Sequence, residues 1–208
     1  MSQLEGTVFI VDDDPLVLGA VETLIKSVGL EVHTFSSAQA FLESDLPDEP
    51  GCLVLDIRMP GLSGLDLQDE MAARGLTLPV IFVTGHGTVP LSVRAMKAGA
   101  VDFLQKPFED QDLLDAVQRA IEENGQARVE RRETGEIKRR VESLTQRETQ
   151  VLHGVAEGKL NKQIAHDLGL SENTVKTHRA HIMQKMQAES LAHLIRLIEK
   201  TGIPSQKE

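Results

Sequence analysis

Five short apolar runs alternate with helix-length segments over the first 125 residues of this 208-residue chain. The runs are nearly continuous in apolar side chains, which is typical of strands buried on both faces of a sheet. Strands that alternate with helices favour a parallel sheet with helices on both sides, which is an α/β fold. The predicted strands are residues 8–11, 31–35, 52–55, 80–83 and 101–104, of which 31–35 has the weakest pattern.

Polar side chains follow four of these strands at the point where each one ends. Asp12 and Asp13 follow the first strand, Asp56 the third, Thr84 the fourth and Lys106 the fifth. Because the carboxyl ends of parallel strands share one edge of the sheet, we expect these groups to lie together. Adjacent carboxylates repel one another, and Mg²⁺ is the ion that binds a few carboxylates together with phosphate oxygens. The pattern therefore predicts a magnesium-assisted phosphoryl-transfer site, in which one carboxylate attacks phosphorus.

The set of DD, D, T and KP at successive strand ends resembles the receiver domain of bacterial two-component response regulators, over residues 7–123. The resemblance implies a doubly wound, flavodoxin-like sheet of five parallel strands. It also implies that a sensor histidine kinase phosphorylates Asp56. Mg²⁺, or Mn²⁺ in its place, would be held by Asp12, Asp13, Asp56 and the backbone carbonyl of Arg58.

The same resemblance implies roles for the remaining residues of this edge. Thr84 and Lys106 would contact the phosphoryl group, Phe103 would be the switch aromatic, and Lys106-Pro107 stands where the family has a cis peptide bond. Arg58 and His86, each two residues beyond a site residue, would flank the phosphoryl group, although both also fit solvated loop positions. The receiver would take up phosphate from a donor and slowly lose it, with no other enzymatic activity.

A second class of protein also fits the acidic run. Asp12 and Asp14 match the DxD start of haloacid-dehalogenase-type phosphatases, with Asp12 as nucleophile and Asp14 as general acid. That alternative leaves Asp56 unexplained and does not require the C-terminal helices. If Asp14 lies outside the acidic site, it can cap the helix that follows it.

The charge of the chain changes sign near residue 125. Residues 1–125 hold 7 Lys and Arg against 21 Asp and Glu, a net charge of −14, whereas residues 126–208 hold 15 against 11, a net charge of +4. An acidic half joined to a basic half indicates two domains with different partners. Residues 124–143 are rich in charges and are interrupted by Gly125 and Gly135, which predicts a linker with helical tendency.

Beyond the linker the pattern predicts helices alone. Thr145 and Glu148 have the spacing of a capping box, and Ser171 can cap a later helix. Two short helices joined by a turn that contains Gly169 are typical of a helix-turn-helix. Residues 144–203 are therefore predicted to form an all-α helix-turn-helix domain.

The stretches LTQRETQVL, GKLNKQIA and LSENTVKTHRAHIMQKM resemble the LuxR-type output domain of NarL and FixJ response regulators. Leu160 stands where that family has a small polar residue. The resemblance implies promoter DNA as a partner and a recognition helix in the major groove, where Lys and Arg reach base edges and phosphates. The candidate DNA contacts are Asn161, Lys162, Asn173, Thr174, Lys176, Thr177, Arg179, Ala180 and Lys185, and a solvated charge fits Lys185 equally well.

These two resemblances together predict a transcription regulator that dimerises when phosphorylated and then acts on the transcription machinery. Binding of protein instead of DNA by the C-terminal helices is the alternative. No apolar stretch reaches the roughly 18 residues of a membrane helix, and the N-terminus lacks a signal-peptide pattern. With its single cysteine, Cys52, the chain is expected in the reducing cytoplasm.

Overall fold

The computed structural model describes residues 5–85 and 87–201. The chain divides into two compact units, the first ending at Arg128 and the second beginning at Val129. Each unit has its own apolar core.

The first unit is built on a parallel sheet of five strands: β1 (Thr7–Val11), β2 (Glu31–Phe35), β3 (Gly51–Leu55), β4 (Val80–Thr84) and β5 (Asp102–Gln105). The strand order is β2-β1-β3-β4-β5, which is the flavodoxin-like order of doubly wound sheets. The predicted α/β fold is confirmed, and every strand begins and ends within one residue of its predicted position. The central strands β1, β3 and β4 are buried along their whole length, whereas the edge strand β2 is largely exposed, which explains its weaker pattern.

Helices cover both faces of this sheet. Helices α2 (Ala38–Leu42), α3 (Gly64–Ala73) and α4 (Val89–Lys97) pack on one face, against side chains such as Phe82. Helix α1 (Pro15–Ser27) and the first part of α5 (Asp110–Glu142) pack on the other. Each strand thus sends alternate side chains into two cores, as the continuous apolar runs require.

Helix α5 is longer than the sequence indicates, because it continues through Gly125 and Gly135 to Glu142. Contacts within each unit offset the cost of about 1 kcal/mol that each glycine carries in a helix. Asn124, in the first unit, accepts a hydrogen bond from the Gly51 amide at 3.2 Å. Ile137, in the second unit, is buried in the core of that unit. The residues predicted to form a linker are therefore divided between the two units.

The second unit adds four helices to the end of α5: α6 (Gln146–Ala156), α7 (Asn161–Leu168), α8 (Glu172–Lys185) and α9 (Leu191–Lys200). Thr145 and Glu148 form the predicted capping box at the start of α6, and Ser171 caps α8 as predicted. Gly169, with a φ of 65°, ends α7 in the left-handed conformation that glycine adopts without strain. Helices α7 and α8 are thus the two helices of a helix-turn-helix.

Candidate functional site

The carboxyl edge of the sheet joins a lysine to two buried aspartates. Asp12 follows β1 and Asp56 follows β3, and the two residues are 4% and 7% exposed. Lys106 follows β5, and its Nζ lies 2.7 Å from Asp12 Oδ2 and 3.3 Å from Asp56 Oδ1. A single ammonium group thus bridges two carboxylates, and the structure brings together three of the residues that the sequence predicts to share a site.

Burial and charge act in opposite directions at this site. Burial raises the pKa of Asp56, against the opposing effects of the Lys106 charge and the hydrogen bond from the Arg58 amide, while the charge of Asp12 adds to the increase. For Lys106, burial alone would lower the pKa, but the hydrogen bond and charge of Asp12, together with Asp56, raise it. Lys106 is therefore held in its charged form beside Asp56, where it can attract an anion.

Three other predicted residues of this site occupy different environments at or near the same edge of the sheet. Thr84 is fully buried at the end of β4, and its carbonyl accepts a hydrogen bond from the Lys106 amide at 2.9 Å. The Arg58 amide donates to Asp56 Oδ2 at 2.6 Å, while the residue itself is exposed to solvent. Phe103 is half-buried in β5 and packs on the core beneath α4. The predicted flanking residue His86 lies outside the described residues.

Asp14 is used for local structure. Its side chain accepts a hydrogen bond from the Leu16 amide at 2.9 Å and so forms the N-cap of α1. Asp14 therefore has the helix-capping role that the sequence predicts for it if it lies outside the acidic site. The phosphatase alternative instead requires Asp14 to act as a general acid. The peptide bond between Lys106 and Pro107 is cis, as the receiver resemblance implies.

The donor set at this edge is compatible with Mg²⁺. Within the described residues, no three or more His, Cys, Asp or Glu side chains converge into a ready-made metal site. Asp12 and Asp56 nevertheless both bind the ammonium group of Lys106. Asp13, the next residue after Asp12, is exposed. Mg²⁺ requires only one or two protein carboxylates, since waters and phosphate oxygens complete its coordination. The two buried carboxylates, Asp12 and Asp56, satisfy that requirement.

The second unit presents cationic and polar side chains on α7 and α8. Lys162, Lys176, Thr177, Asn173 and Ala180 are exposed. They lie on the solvent side of these helices, because the core of the unit is on the other side. Five of the nine predicted DNA contacts are therefore accessible to solvent.

Two of the predicted DNA contacts also bind each other. Arg179 is half-buried, and its Nη1 donates to Asn161 Oδ1 at 2.8 Å. Asn161 is the first residue of α7, which has Leu160 at the N-cap position, and Gln163 Oε1 accepts a hydrogen bond from the Leu160 amide at 2.7 Å. Thr174 also has a local partner, since its amide donates to the Ser171 hydroxyl at 3.1 Å.

Lys185 binds a buried carboxylate. Its Nζ lies 2.7 Å from Glu148 Oε2 and 3.1 Å from the Ser143 carbonyl oxygen. Glu148 is 4% exposed, and the hydrogen bond from Lys185 and the backbone hydrogen bond from Thr145 lower its pKa to about 2. The sequence shows Glu148 as a capping residue but gives no sign of its link to Lys185, since 37 residues separate them.

None of the helices in the described parts of the chain combines the length and apolar character needed to cross a membrane.

Two family models match the chain. Residues 8–118 match the response regulator receiver domain, and residues 142–198 match the bacterial regulatory proteins of the luxR family. The two matches correspond to the α/β unit and the helical unit, in the order in which the structure has them.

Relatives align over nearly the whole chain. Nodulation protein W of Bradyrhizobium diazoefficiens is 53% identical over 199 residues, which cover 96% of this chain and 88% of the relative. The response regulator protein TodT of Pseudomonas putida is 46% identical, with the same two coverages. The transcriptional regulatory protein FixJ of Azorhizobium caulinodans is 44% identical over 94% of this chain and 93% of its own.

Solved structures agree with these matches. The structure of the response regulator StyR has a TM-score of 0.85 and 49% identity, and the match covers 94% of this chain and 98% of that one. The structure of the N-terminal part of FixJ matches with a TM-score of 0.52 and 44% identity, over 56% of this chain and 93% of that one. The chain therefore belongs to the two-component response regulators of the FixJ/NarL type, in which a receiver domain is followed by a LuxR-type DNA-binding domain.

Proposed function

We propose that this transcriptional response regulator is switched by phosphorylation of Asp56 and binds promoter DNA through α8. The observation that carries the first part is the position of the Lys106 ammonium group between Asp12 and Asp56. It places a positive charge where a phosphoryl group on Asp56 would need one. The donor is a phosphohistidine of a sensor kinase in the bacterial cytoplasm.

Each residue of the site has a role in this transfer. A carboxylate oxygen of Asp56 forms the new O–P bond while the P–N bond of the phosphohistidine breaks. Lys106 attracts the phosphoryl oxygens, and the Thr84 hydroxyl donates a hydrogen bond to one of them. Asp12, Asp13, Asp56 and the Arg58 carbonyl would hold Mg²⁺, or Mn²⁺ in its place, which supplies the charge that allows the anionic groups to approach. Arg58 and His86 flank the group and influence how long it survives.

Phosphoryl uptake from acetyl phosphate tests this assignment. The wild-type protein should incorporate phosphate in the presence of Mg²⁺ and lose this activity when EDTA is added. Asp56→Asn should abolish uptake, because the amide has no nucleophilic oxygen. Asp14→Asn is the matched control, since Asn is as good an N-cap as Asp and the residue belongs to the same acidic run. Stable labelling of Asp56→Asn would refute the proposal, and loss of activity in Asp14→Asn would favour a phosphatase-like site.

Phosphorylation is proposed to drive formation of a homodimer. Helix α4 exposes three apolar side chains, Val89, Val93 and Met96, at a spacing that places them on one face. A second receiver is the partner that we propose for this face. If Thr84 moves towards the phosphoryl group, it opens space for Phe103. Phe103 lies in β5, the strand that follows α4, and packs against the same apolar core as α4. Sedimentation should show tighter association of the phosphorylated protein, and equal association of both forms would contradict this step.

Helix α8 is proposed to enter the major groove. The supporting observation is the exposure of Lys176, Thr177 and Ala180 on the side of α8 opposite its buried face. Arg179 extends this surface towards α7 through its hydrogen bond to Asn161, and the proposed contact of Lys162 on α7 is a phosphate. Asn161, Asn173 and Thr174 complete the set of candidate contacts, whereas Lys185 is bound to Glu148. Two such units in a dimer would bind half-sites about one turn of DNA apart, roughly 34 Å.

Salt-dependent DNA binding distinguishes base contacts from phosphate contacts. Lys162→Ala should weaken binding to all sequences and lower the salt slope by about one counterion. Lys176→Ala and Arg179→Ala should weaken binding to the preferred sequence more than to random DNA. If none of the three changes affects affinity at physiological salt, α8 is not the recognition helix, and binding of a protein becomes the better hypothesis for these helices.

A further inference from the structure

The last turn of α8 is joined to two other segments of the second unit. Lys185 Nζ donates to Glu148 Oε2 and to the Ser143 carbonyl oxygen. One residue further on, the carbonyl oxygen of Met186 lies 3.5 Å from Arg140 Nη1. The C-terminal end of α8 is thus connected to the start of α6 and to the end of α5.

The carboxylate at the centre of this arrangement is itself fixed. Glu148 Oε2 accepts hydrogen bonds from the Thr145 amide at 2.8 Å and from the Thr145 hydroxyl at 3.0 Å. The other oxygen, Oε1, lies 3.7 Å from His181 Nδ1, and the His181 side chain is about half exposed. The capping box holds the Glu148 side chain in one orientation. The carboxylate of Glu148 therefore gives the Lys185 ammonium group a partner at a defined position.

Helical geometry places Lys185 away from the surface proposed to contact DNA. An α-helix turns by about 100° per residue, so the step of nine positions from Lys176 to Lys185 separates them by roughly 180° around the axis. Ile182 and Met186, which are buried, are within about 60° and 100° of Lys185 by the same rule. Lys185 therefore lies next to the core side of α8 and faces away from Lys176.

We infer that Glu148 and Lys185 form an internal clamp that positions the recognition helix, and that Lys185 acts through this clamp instead of by direct contact with DNA. The inference rests on the proposed role of α8 as the recognition helix. A recognition helix whose end is free to shift would still carry its cations to the DNA, but it would lose the fixed geometry that base-edge hydrogen bonds require. The clamp is thus expected to support discrimination between sequences more than attraction to DNA in general.

Four variants of the full-length protein test the clamp: Lys185→Met, Lys185→Arg, Glu148→Gln and the double variant Glu148→Gln/Lys185→Met. The probes are a duplex that the phosphorylated wild-type protein selects from a random library and a scrambled duplex of the same composition. Each affinity is measured over a series of salt concentrations. Glu148→Gln retains an acceptor for the Thr145 amide, so it removes the charge of the clamp while preserving the cap.

Lys185→Met should bind the selected duplex about tenfold more weakly, the factor expected for loss of one charge-assisted hydrogen bond. Its affinity for the scrambled duplex and its salt slope should stay close to those of the wild type. Glu148→Gln should also weaken binding to the selected duplex, by at most the same factor, because its amide oxygen is an uncharged and weaker acceptor for Lys185. The double variant should lose no more affinity than Lys185→Met, since both changes act on one interaction. Lys185→Arg should restore most of the affinity, because a guanidinium group can still bind Glu148.

Lys176→Met is the matched control, because it replaces a lysine of the same helix on the opposite side. It should lower the salt slope by about one. If Lys185→Met also lowers the slope by about one and weakens both duplexes equally, Lys185 contacts a phosphate and the clamp is refuted, while the recognition-helix assignment stands. If Lys176→Met has no effect on either duplex, the recognition-helix assignment fails, and the clamp fails with it.

Circular dichroism at the assay temperature verifies that each variant is folded. If Lys185→Met unfolds the second unit, Lys185→Gln takes its place, because the glutamine amide still offers a donor to the Ser143 carbonyl. Additive losses in the double variant would also overturn the inference, since two residues that act through one contact cannot lose it twice.

Discussion

Replacement of Ile137 by alanine should destabilise the DNA-binding unit although the residue lies in α5, before the first residue matched by the luxR-family model. Ile137 is 4% exposed and belongs to the same apolar cluster as Leu144, Val151 and Ile182. A buried Ile→Ala change typically costs about 2–5 kcal/mol, from lost transfer free energy and the cavity that remains. Alanine is the better helix former, which offsets a few tenths of a kcal/mol, so we expect a loss of about 2–4 kcal/mol.

Hydrogen exchange of the full-length protein, followed by mass spectrometry, is the assay. The chain contains no Trp or Tyr, so intrinsic fluorescence offers little signal, whereas peptides from the two units can be followed separately. Peptides from α6, α8 and α9 should exchange faster in Ile137→Ala by a factor of about 30 or more, which corresponds to 2 kcal/mol. Peptides from β1, β3 and β4 should exchange at the wild-type rate.

Val129→Ala is the matched control, since it also replaces a β-branched residue by alanine in the same helix. Val129 is 59% exposed, so its replacement should change the free energy of unfolding by no more than about 0.5 kcal/mol. Equal exchange rates in the two variants would refute the assignment of Ile137 to the core of the DNA-binding unit. Faster exchange in β1, β3 and β4 would show instead that Ile137 stabilises the receiver.

Three further predictions address buried polar groups. Asn124→Ala should destabilise the receiver by about 2–3 kcal/mol in urea unfolding, because it removes the hydrogen bonds that the Asn124 side chain makes with the Gly51 amide and the Thr77 carbonyl. Gln126→Ala, at an exposed position of the same helix, should have little effect. The pKa of Glu148 is about 2 in the folded protein, which is below its pKa in the unfolded chain. The charge of Glu148 therefore stabilises the folded state fully above about pH 4.5, and this stabilisation is lost as the pH falls towards 2. The difference in Tm between wild type and Glu148→Gln should therefore narrow over that range, and a constant difference would argue against a charged Glu148. Burial raises the pKa of the Cys52 thiol, so a thiol reagent should not react with the native protein at neutral pH, and rapid labelling would contradict the burial of β3.

The sequence determined the order of the elements and the edge at which polar residues gather. Strands buried on both faces must be continuously apolar, and the polar residue that ends each run marks the carboxyl edge of the sheet. Asp12, Asp56 and Lys106 could thus be placed together from their positions in the chain. The caps at Thr145 and Ser171 were predictable for a similar reason, since a capping side chain binds an amide only three residues away.

Contacts between residues far apart in the chain were decided by tertiary structure alone. The sequence indicates that Lys106 is near the aspartates, but only packing sets its ammonium group between Asp12 and Asp56. In the same way, the sequence shows Lys185 near the end of α8, but only packing gives it Glu148 as a partner. The course of α5 through two glycines was also decided by packing, because side chains buried on either side of them outweigh the local cost. Local propensity and pattern act over a few residues, whereas the partners of a buried charge depend on how whole helices and strands pack.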